Sequence, residues 1–206
     1  MSKVVILVDN GHGNNTLGKW SPDGRYKEYA YTREIARRLV AQLISLGYDA
    51  RLLVPELYDV PLSVRVQRVN RWCVERGRKN VVLVSIHTNA GRGDGWVNSR
   101  GWSVFVYEGL QGQRASAESV MLAEVFADYA QQQGWKVLTP SDEQRYWGGN
   151  FTILKQSICP AVLTENFFHN NKKDLAFLES ERGKDEIVSV HTSAIVNYIE
   201  SIKSKL

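Results

Sequence analysis

Three short apolar runs, each cut off by polar or ionisable residues, set the limits on what this chain can fold into. Val4–Val8, Val81–Ile86 and Ala161–Thr164 are rich in β-branched residues and leucine and almost free of alternation. Runs of that kind belong to strands buried on both faces, as in a parallel sheet covered by helices. The segments between them supply the helices. Ile35, Leu39, Leu43 and Leu46 fall on one helical face, with Ala36 and Val40 beside them, and Gly47 ends the pattern. Leu62, Val66, Val69 and Cys73 make a second such face, ending near Gly77, and Arg114–Gln133 and Lys184–Ile202 read as two more helices. Further strands are expected at Tyr48–Val54, Trp102–Tyr107 and Trp135–Leu138, with Thr139–Asn150 a polar loop. Strands alternating with helices predict one α/β domain over residues 1–206, with a mostly parallel twisted sheet of about six strands flanked by helices.

Composition supports such a core: 43% of the 206 residues are hydrophobic and 23% charged, ordinary globular usage. No run approaches the roughly 20 apolar residues that span a bilayer, so no membrane insertion is expected. The five apolar residues after Met1-Ser2-Lys3 are too few for a signal-peptide core of about 7–15, and they read as a strand. Cys73 and Cys159 are far apart in the chain and form no C-x-x-C, so a buried thiol is expected at each. The formal net charge is +4. Part of it comes from Arg33, Arg37, Arg38, Arg65, Arg68, Arg71, Arg76, Arg78 and Lys79, which read as solvated helix faces. That pattern gives no reason to expect a nucleic-acid partner, and it suits an anionic polymer as well. A monomer is expected.

In open α/β sheets ligands bind beyond the carboxyl ends of the strands. The residues that follow the apolar runs are therefore the informative ones. They are Asp9-Asn10-Gly11-His12-Gly13, His87-Thr88-Asn89-Ala90 and Glu165-Asn166. Two of four histidines and a glutamate thus stand at strand ends that a parallel sheet brings to one edge. Histidine and carboxylate groups from separate loops are the usual surroundings of a catalytic zinc with one open position. The plainer alternative is a pair of loop histidines bonded to backbone. Glycines on both sides of His12 allow a sharp turn there. Gly11-x-Gly13 after a strand faintly suggests a dinucleotide fingerprint, but the third glycine position is Thr16 and no helix begins there.

These residues, in this order, resemble the zinc-dependent N-acetylmuramoyl-L-alanine amidases of the Amidase_3 type, found in autolysins, cell-division amidases and phage endolysins. The family's D-x-G-H-G-G is met by Asp9, Gly11, His12 and Gly13, with Asn14 in the last place. Its E-x-x-x-N-x-x-I-A-x-x-L is met by Glu28, Ile35, Ala36 and Leu39, with Thr32 for the asparagine. Leu62, Arg65 and Asn70 answer L-x-x-R-x-x-x-x-N, and Ser85, Ile86, His87, Asn89 and Ala90 answer S-I-H-x-N-A. Pro160–Leu163, Glu165, Phe168 and Asn171 follow the last motif, with Phe167 where the family has glycine.

The resemblance implies that His12, Glu28 and His87 bind one zinc ion per chain, with Glu165 as the catalytic acid/base. It also implies that the substrate is peptidoglycan, cut at the amide between N-acetylmuramic acid and L-alanine. Spacing alone would read Glu28 as a first-turn glutamate favourable to the helix dipole. Zinc would bring the pKa of water toward about 7 and act as a Lewis acid. Asp9 is expected either to hold a ligand histidine's second nitrogen or to cap its loop. Asn89, Trp96, Trp102, Trp147 and Asn150 are candidates for a substrate groove, with partly buried packing the alternative for each tryptophan. His169 and His191 read as bystanders. The rival readings are another zinc hydrolase of the wall, a carboxypeptidase or endopeptidase, and a non-catalytic wall-binding module. The site of action would be the bacterial cell wall, reached from a periplasmic or extracellular location, or on release from the cytoplasm by an endolysin.

Overall fold

The computed structural model describes residues 4–204; the outermost ends of the expected 1–206 domain, including Met1-Ser2-Lys3, lie outside it. The chain forms one six-stranded sheet in the order β2-β1-β3-β6-β4-β5. Its strands are β1 (Val5–Asn10), β2 (Asp49–Leu52), β3 (Val81–Asn89), β4 (Ser103–Tyr107), β5 (Trp147–Gly149) and β6 (Ala161–Phe168). β2, β1, β3 and β6 run parallel; β4 is antiparallel to β6, and β5 is parallel to β4. The helices are α1 (Glu28–Ser45), α2 (Leu62–Arg76), α3 (Ala117–Gln132), α4 (Thr152–Gln156), α5 (Lys172–Glu179) and α6 (Glu181–Lys203).

Two apolar cores sandwich the sheet. On one face Ile6, Val8, Val82, Val84 and Val162 meet α1, α3 and α6 through residues such as Leu39, Phe126 and Ile195. On the other, Val5, Leu7, Leu83 and Leu163 meet α2 and α4 through Val66, Val69 and Ile153. Cys73 and Cys159 are both buried free thiols in this second core. Period-2 alternation in β1, β3 and β6 sends even and odd residues to opposite faces, both buried, which is why these strands read as continuous apolar runs.

Four expectations need correction. Trp135–Leu138 is not a strand of the sheet; its backbone pairs only through a single bridge between Val137 and Trp102, the residue before β4. The sixth strand is Trp147–Gly149, inside the segment read as loop. Its two glycines hid it, yet a Cβ on Gly148 would strike the Glu108 side chain and one on Gly149 the Phe151 ring. The last helix begins at Glu181, before Gly183, with Ser180 as its cap accepting from the Gly183 N–H at 3.0 Å. A Cβ at Gly183 would lie 1.9 Å from the Phe177 carbonyl, so the glycine marks the tight joint between α5 and α6. Finally, Arg33 and Arg65 are not on solvated faces but buried. Arg33 donates to the Glu56 carbonyl, and Arg65 is the hub of the loop after β1 described below. Arg37, Arg71, Arg76, Arg78 and Lys79 do face solvent.

Candidate metal centre and cavity

The parallel register lines up the ends of β1, β3 and β6: Asn10 is paired with Ile86, and His87 with Glu165. Past these ends, the donor atoms of His12, Glu28 and His87 come within 4.8 Å of one another. His87 extends β3, Glu28 is the first residue of α1, and His12 stands two residues beyond β1. His87 Nδ1 lies 3.1 Å from Glu28 Oε1, which also accepts from the Thr88 backbone N–H at 3.0 Å. His12 Nε2 lies 3.4 Å from Glu28 Oε2, and the two imidazoles meet edge to face at 4.9 Å.

The loop around His12 has its own physical reason. His12 itself takes the left-handed conformation, φ 64°, whereas neither flanking glycine has positive φ. The glycines serve close approach: a Cβ on Gly11 would sit 2.4 Å from the His87 ring, and one on Gly13 1.9 Å from the Asp59 backbone. A non-glycine residue at positive φ is held there against a cost of about 1–2 kcal/mol. Arg65 does much of the holding. Its guanidinium donates to the Asp9 carboxylate and the Asn10 carbonyl at 2.8 Å each, to Asp59 at 2.9 Å, to Val60 O at 2.8 Å and to His12 O at 3.3 Å. Asp9, expected beside a histidine or as a cap, therefore bonds to neither imidazole; its second oxygen accepts from Ser85 at 2.6 Å.

Burial works against charge on Glu28, yet the two adjacent imidazoles hold its carboxyl well below the usual carboxylate range. Burial likewise works against charge on His87, but Glu28, with Glu165 and Asp9 behind it, raises its pKa. Glu165 goes the other way. Burial dominates and, with the nearby Glu28 charge and against His87 and Lys19, pushes it up to about 7.

This donor set fits a divalent cation. Two imidazoles and one carboxylate converge, and Glu28 Oε2 is buried with no hydrogen-bond partner, a state that buried polar atoms rarely keep without a ligand. Three donors leave a position free, as catalytic zinc sites do. Glu165 is outside the set. It lines an adjoining cavity of about 270 Å³ together with His12, His87, Lys19, Leu62 and Phe151, and its Oε2 is also buried and unpartnered.

The other sequence candidates separate cleanly. Trp102 is fully buried, its indole N–H donating to Asn166 at 2.9 Å, so it is a core residue and not part of a groove. Trp96 and Trp147 are exposed and Asn150 is on the surface, while Asn89 is half-buried at the end of β3. His169 and His191 stay out of the cluster. His169 nevertheless braces it: Tyr26 donates to Thr88 Oγ1 at 3.1 Å, and that hydroxyl lies 3.1 Å from His169 Nδ1. Sequence reasoning missed Lys19, Arg65 as a loop anchor, and this bracing chain. Only the position of Arg65 within a recognisable motif gave a signal.

Among the described residues, no helix is long and apolar enough to cross a membrane. The model of the Amidase_3 family, N-acetylmuramoyl-L-alanine amidase, matches residues 6–197. The N-acetylmuramoyl-L-alanine amidase CwlM of Bacillus licheniformis is 27% identical over 194 residues, covering 93% of this chain and 67% of that protein. AmiC of Neisseria meningitidis is 26% identical, covering 97% of this chain and 53% of its own length. The chain thus spans between about half and two-thirds of these relatives. In fold it is similar to the N-acetylmuramoyl-L-alanine amidase from Clostridium difficile 630, with a TM-score of 0.79, 23% identity, and 98% and 99% of the two chains covered. It is also similar to the catalytic domain of the CD27L endolysin, with a TM-score of 0.65, 22% identity, and 96% and 98% covered. The family match takes in both histidines, both glutamates and every strand and helix that positions them, and by it this chain belongs to the N-acetylmuramoyl-L-alanine amidase family of hydrolases.

Proposed function

We propose that the chain hydrolyses the amide between the lactyl group of N-acetylmuramic acid and L-alanine in peptidoglycan, with one zinc ion held by His12, Glu28 and His87. The observation that carries this reading is the pair of buried, unpartnered carboxylate oxygens, Glu28 Oε2 within the donor cluster and Glu165 Oε2 on the cavity wall. When bound, zinc supplies a Lewis acid and lowers the pKa of water toward about 7.

The protein's own residues do the rest. Glu165 takes the proton from the attacking water and returns it to the amine nitrogen as the C–N bond breaks. Its burial keeps its proton affinity near neutrality, the range in which one carboxyl group can both accept and donate. Arg65 and the glycine-spaced loop fix the His12 backbone, and Thr88 N–H fixes one Glu28 oxygen. The place of action is the bacterial cell wall, reached from a periplasmic or extracellular location or by release of an endolysin.

Digestion of purified peptidoglycan followed by amino-terminal labelling tests the reading, with new L-alanine ends expected. New ends elsewhere would indicate a peptidase, and none at all a wall-binding module. Glu165→Gln keeps shape but removes the base; turnover should fall about 10²–10⁴-fold with zinc content by metal analysis near wild type. Glu28→Gln should lose most of the metal. The opposite pattern would exchange the two roles.

A further inference from the structure

Parallel sheets in α/β proteins are normally covered on both faces. Here the face that packs on α2 is left partly open toward β4 and β5, where α4, only five residues long, is the nearby cover. Register places three side chains side by side on that face: Leu163 of β6 pairs with Phe105 of β4, and Phe105 with Trp147 of β5. Leu163 is two residues from Glu165 on the same strand face and lines the same cavity. The rings touch in sequence. Phe151, in the cavity wall, meets Phe105 edge to face at 5.4 Å, and Phe105 lies nearly parallel to Trp147 at 6.4 Å. Phe151 is 37% exposed and Trp147 36%. Leu163 itself is buried, so the accessible aromatic shelf is Phe151, half-buried Phe105 and Trp147, running from the cavity that holds Glu165 to the sheet edge.

We propose that this shelf binds pyranose rings of the glycan strand, extending the substrate site beyond the cleaved amide; this rests on the peptidoglycan reading above. Two features select sugar over peptide. The shelf side chains carry no charge, and flat ring faces complement the apolar C–H faces of pyranoses. The stem peptide bears free carboxylates, and the cavity meets it with a cation elsewhere. Lys19 reaches in from the loop after β1, which lies across β3 and β6 from the shelf in the strand order. Glycan to the β5 side and peptide to the β1 side gives the substrate a direction across the His12–Glu28–His87 cluster.

The test titrates peptide-free glycan chains, and separately free stem peptide, into the wild-type chain and into Trp147→Ala, Trp147→Phe and Phe151→Leu. Trp147→Ala and Phe151→Leu should each weaken glycan binding about 2- to 10-fold, with a smaller change for the peptide. Trp147→Phe loses the indole bond to the Leu138 carbonyl but keeps a ring, and should restore most of the glycan affinity. Equal weakening by Trp147→Phe and Trp147→Ala would make the residue a strut for its loop and overturn the proposal. So would a loss confined to peptide, or glycan chains that do not bind the wild type. Because no bond is cut in these titrations, they are independent of the L-alanine assay. Ring-dependent glycan binding without L-alanine release would sink the amidase reading and leave the shelf standing.

Discussion

At the scale of single residues, two non-glycine residues are held in the left-handed region, His12 at φ 64° in the donor cluster and Phe167 at φ 62° at the end of β6. His12 is held by Arg65, whose five donors all find oxygen partners in or beside its loop. Lysine has one point charge and no fork. Arg65→Lys should therefore keep the Asp9 ion pair but release the His12 carbonyl, and lower zinc affinity about 10–100-fold, the usual effect of losing a ligand's support; competition with a chromogenic chelator measures it. Phe167 stands where the family has glycine. Its ring is buried against Phe177 at 4.8 Å and Trp135 at 5.1 Å. Restoring glycine relieves about 1–2 kcal/mol of backbone strain but removes an aromatic side chain whose burial is worth about 3–5 kcal/mol. Packing wins, so Phe167→Gly should destabilise the chain by about 1–4 kcal/mol in urea unfolding. A more stable variant would show the strain to be the larger effect.

At the scale of elements, α6 is tied to the middle of the sheet by a histidine that must stay neutral. His191 Nδ1 faces the Ile187 carbonyl at 2.8 Å, which can only accept, so this nitrogen carries the proton. Nε2 then accepts from Thr164 Oγ1 of β6 at 3.0 Å. Burial pulls its pKa down to about 4. The folded-state pKa of a base is thus depressed. The stability it lends is present above the unfolded value of about 6.5 and is lost as pH falls toward 4. Urea midpoints measured from pH 7 to 4 should fall, and His191→Gln should flatten the profile by up to about 1.4 kcal/mol per pH unit. An unchanged slope in that variant would mean that the ring is not buried in neutral form.

The elements also show what a sequence displays and what it conceals. β1, β3 and β6 were legible because both their faces are apolar, and His12, His87 and Glu165 because they stand where those runs stop. Glu28 was legible only through a motif, since it begins a helix and arrives from outside the strand ends. β5 was concealed because two of its three residues are glycines chosen for clearance. Arg33 and Arg65 were misread because helical periodicity records which face is charged and not whether loops fold over that face. Folding of residues 53–60 across α1 and α2 turns both guanidiniums inward. Trp102 and Trp147 are indistinguishable as letters; one sits beneath the sheet's covered face and the other at its open edge.

For the whole molecule, the proposed metal is also a folding ligand. Its three donors come from the loop after β1, the start of α1 and the end of β3, and no two of these are neighbours once the chain unfolds. A cation that binds only the folded form stabilises it by RT ln(1 + [L]/Kd), about 2.7 kcal/mol at one hundred times Kd. For a chain of 206 residues, each kcal/mol moves Tm by about 2–4 °C, so saturating zinc should raise Tm by roughly 5–10 °C. The relief of Glu28, whose Oε2 has no hydrogen-bond partner, is contained in that Kd and is one reason for the site to bind tightly. The gain should disappear on chelation and be absent in Glu28→Gln. In Glu165→Gln it should persist, because that carboxyl lies outside the donor set. Scanning calorimetry of the three proteins with and without zinc measures it. Equal shifts in wild type and Glu28→Gln would place the ion elsewhere on the chain, and a shift lost in Glu165→Gln would make that residue a ligand.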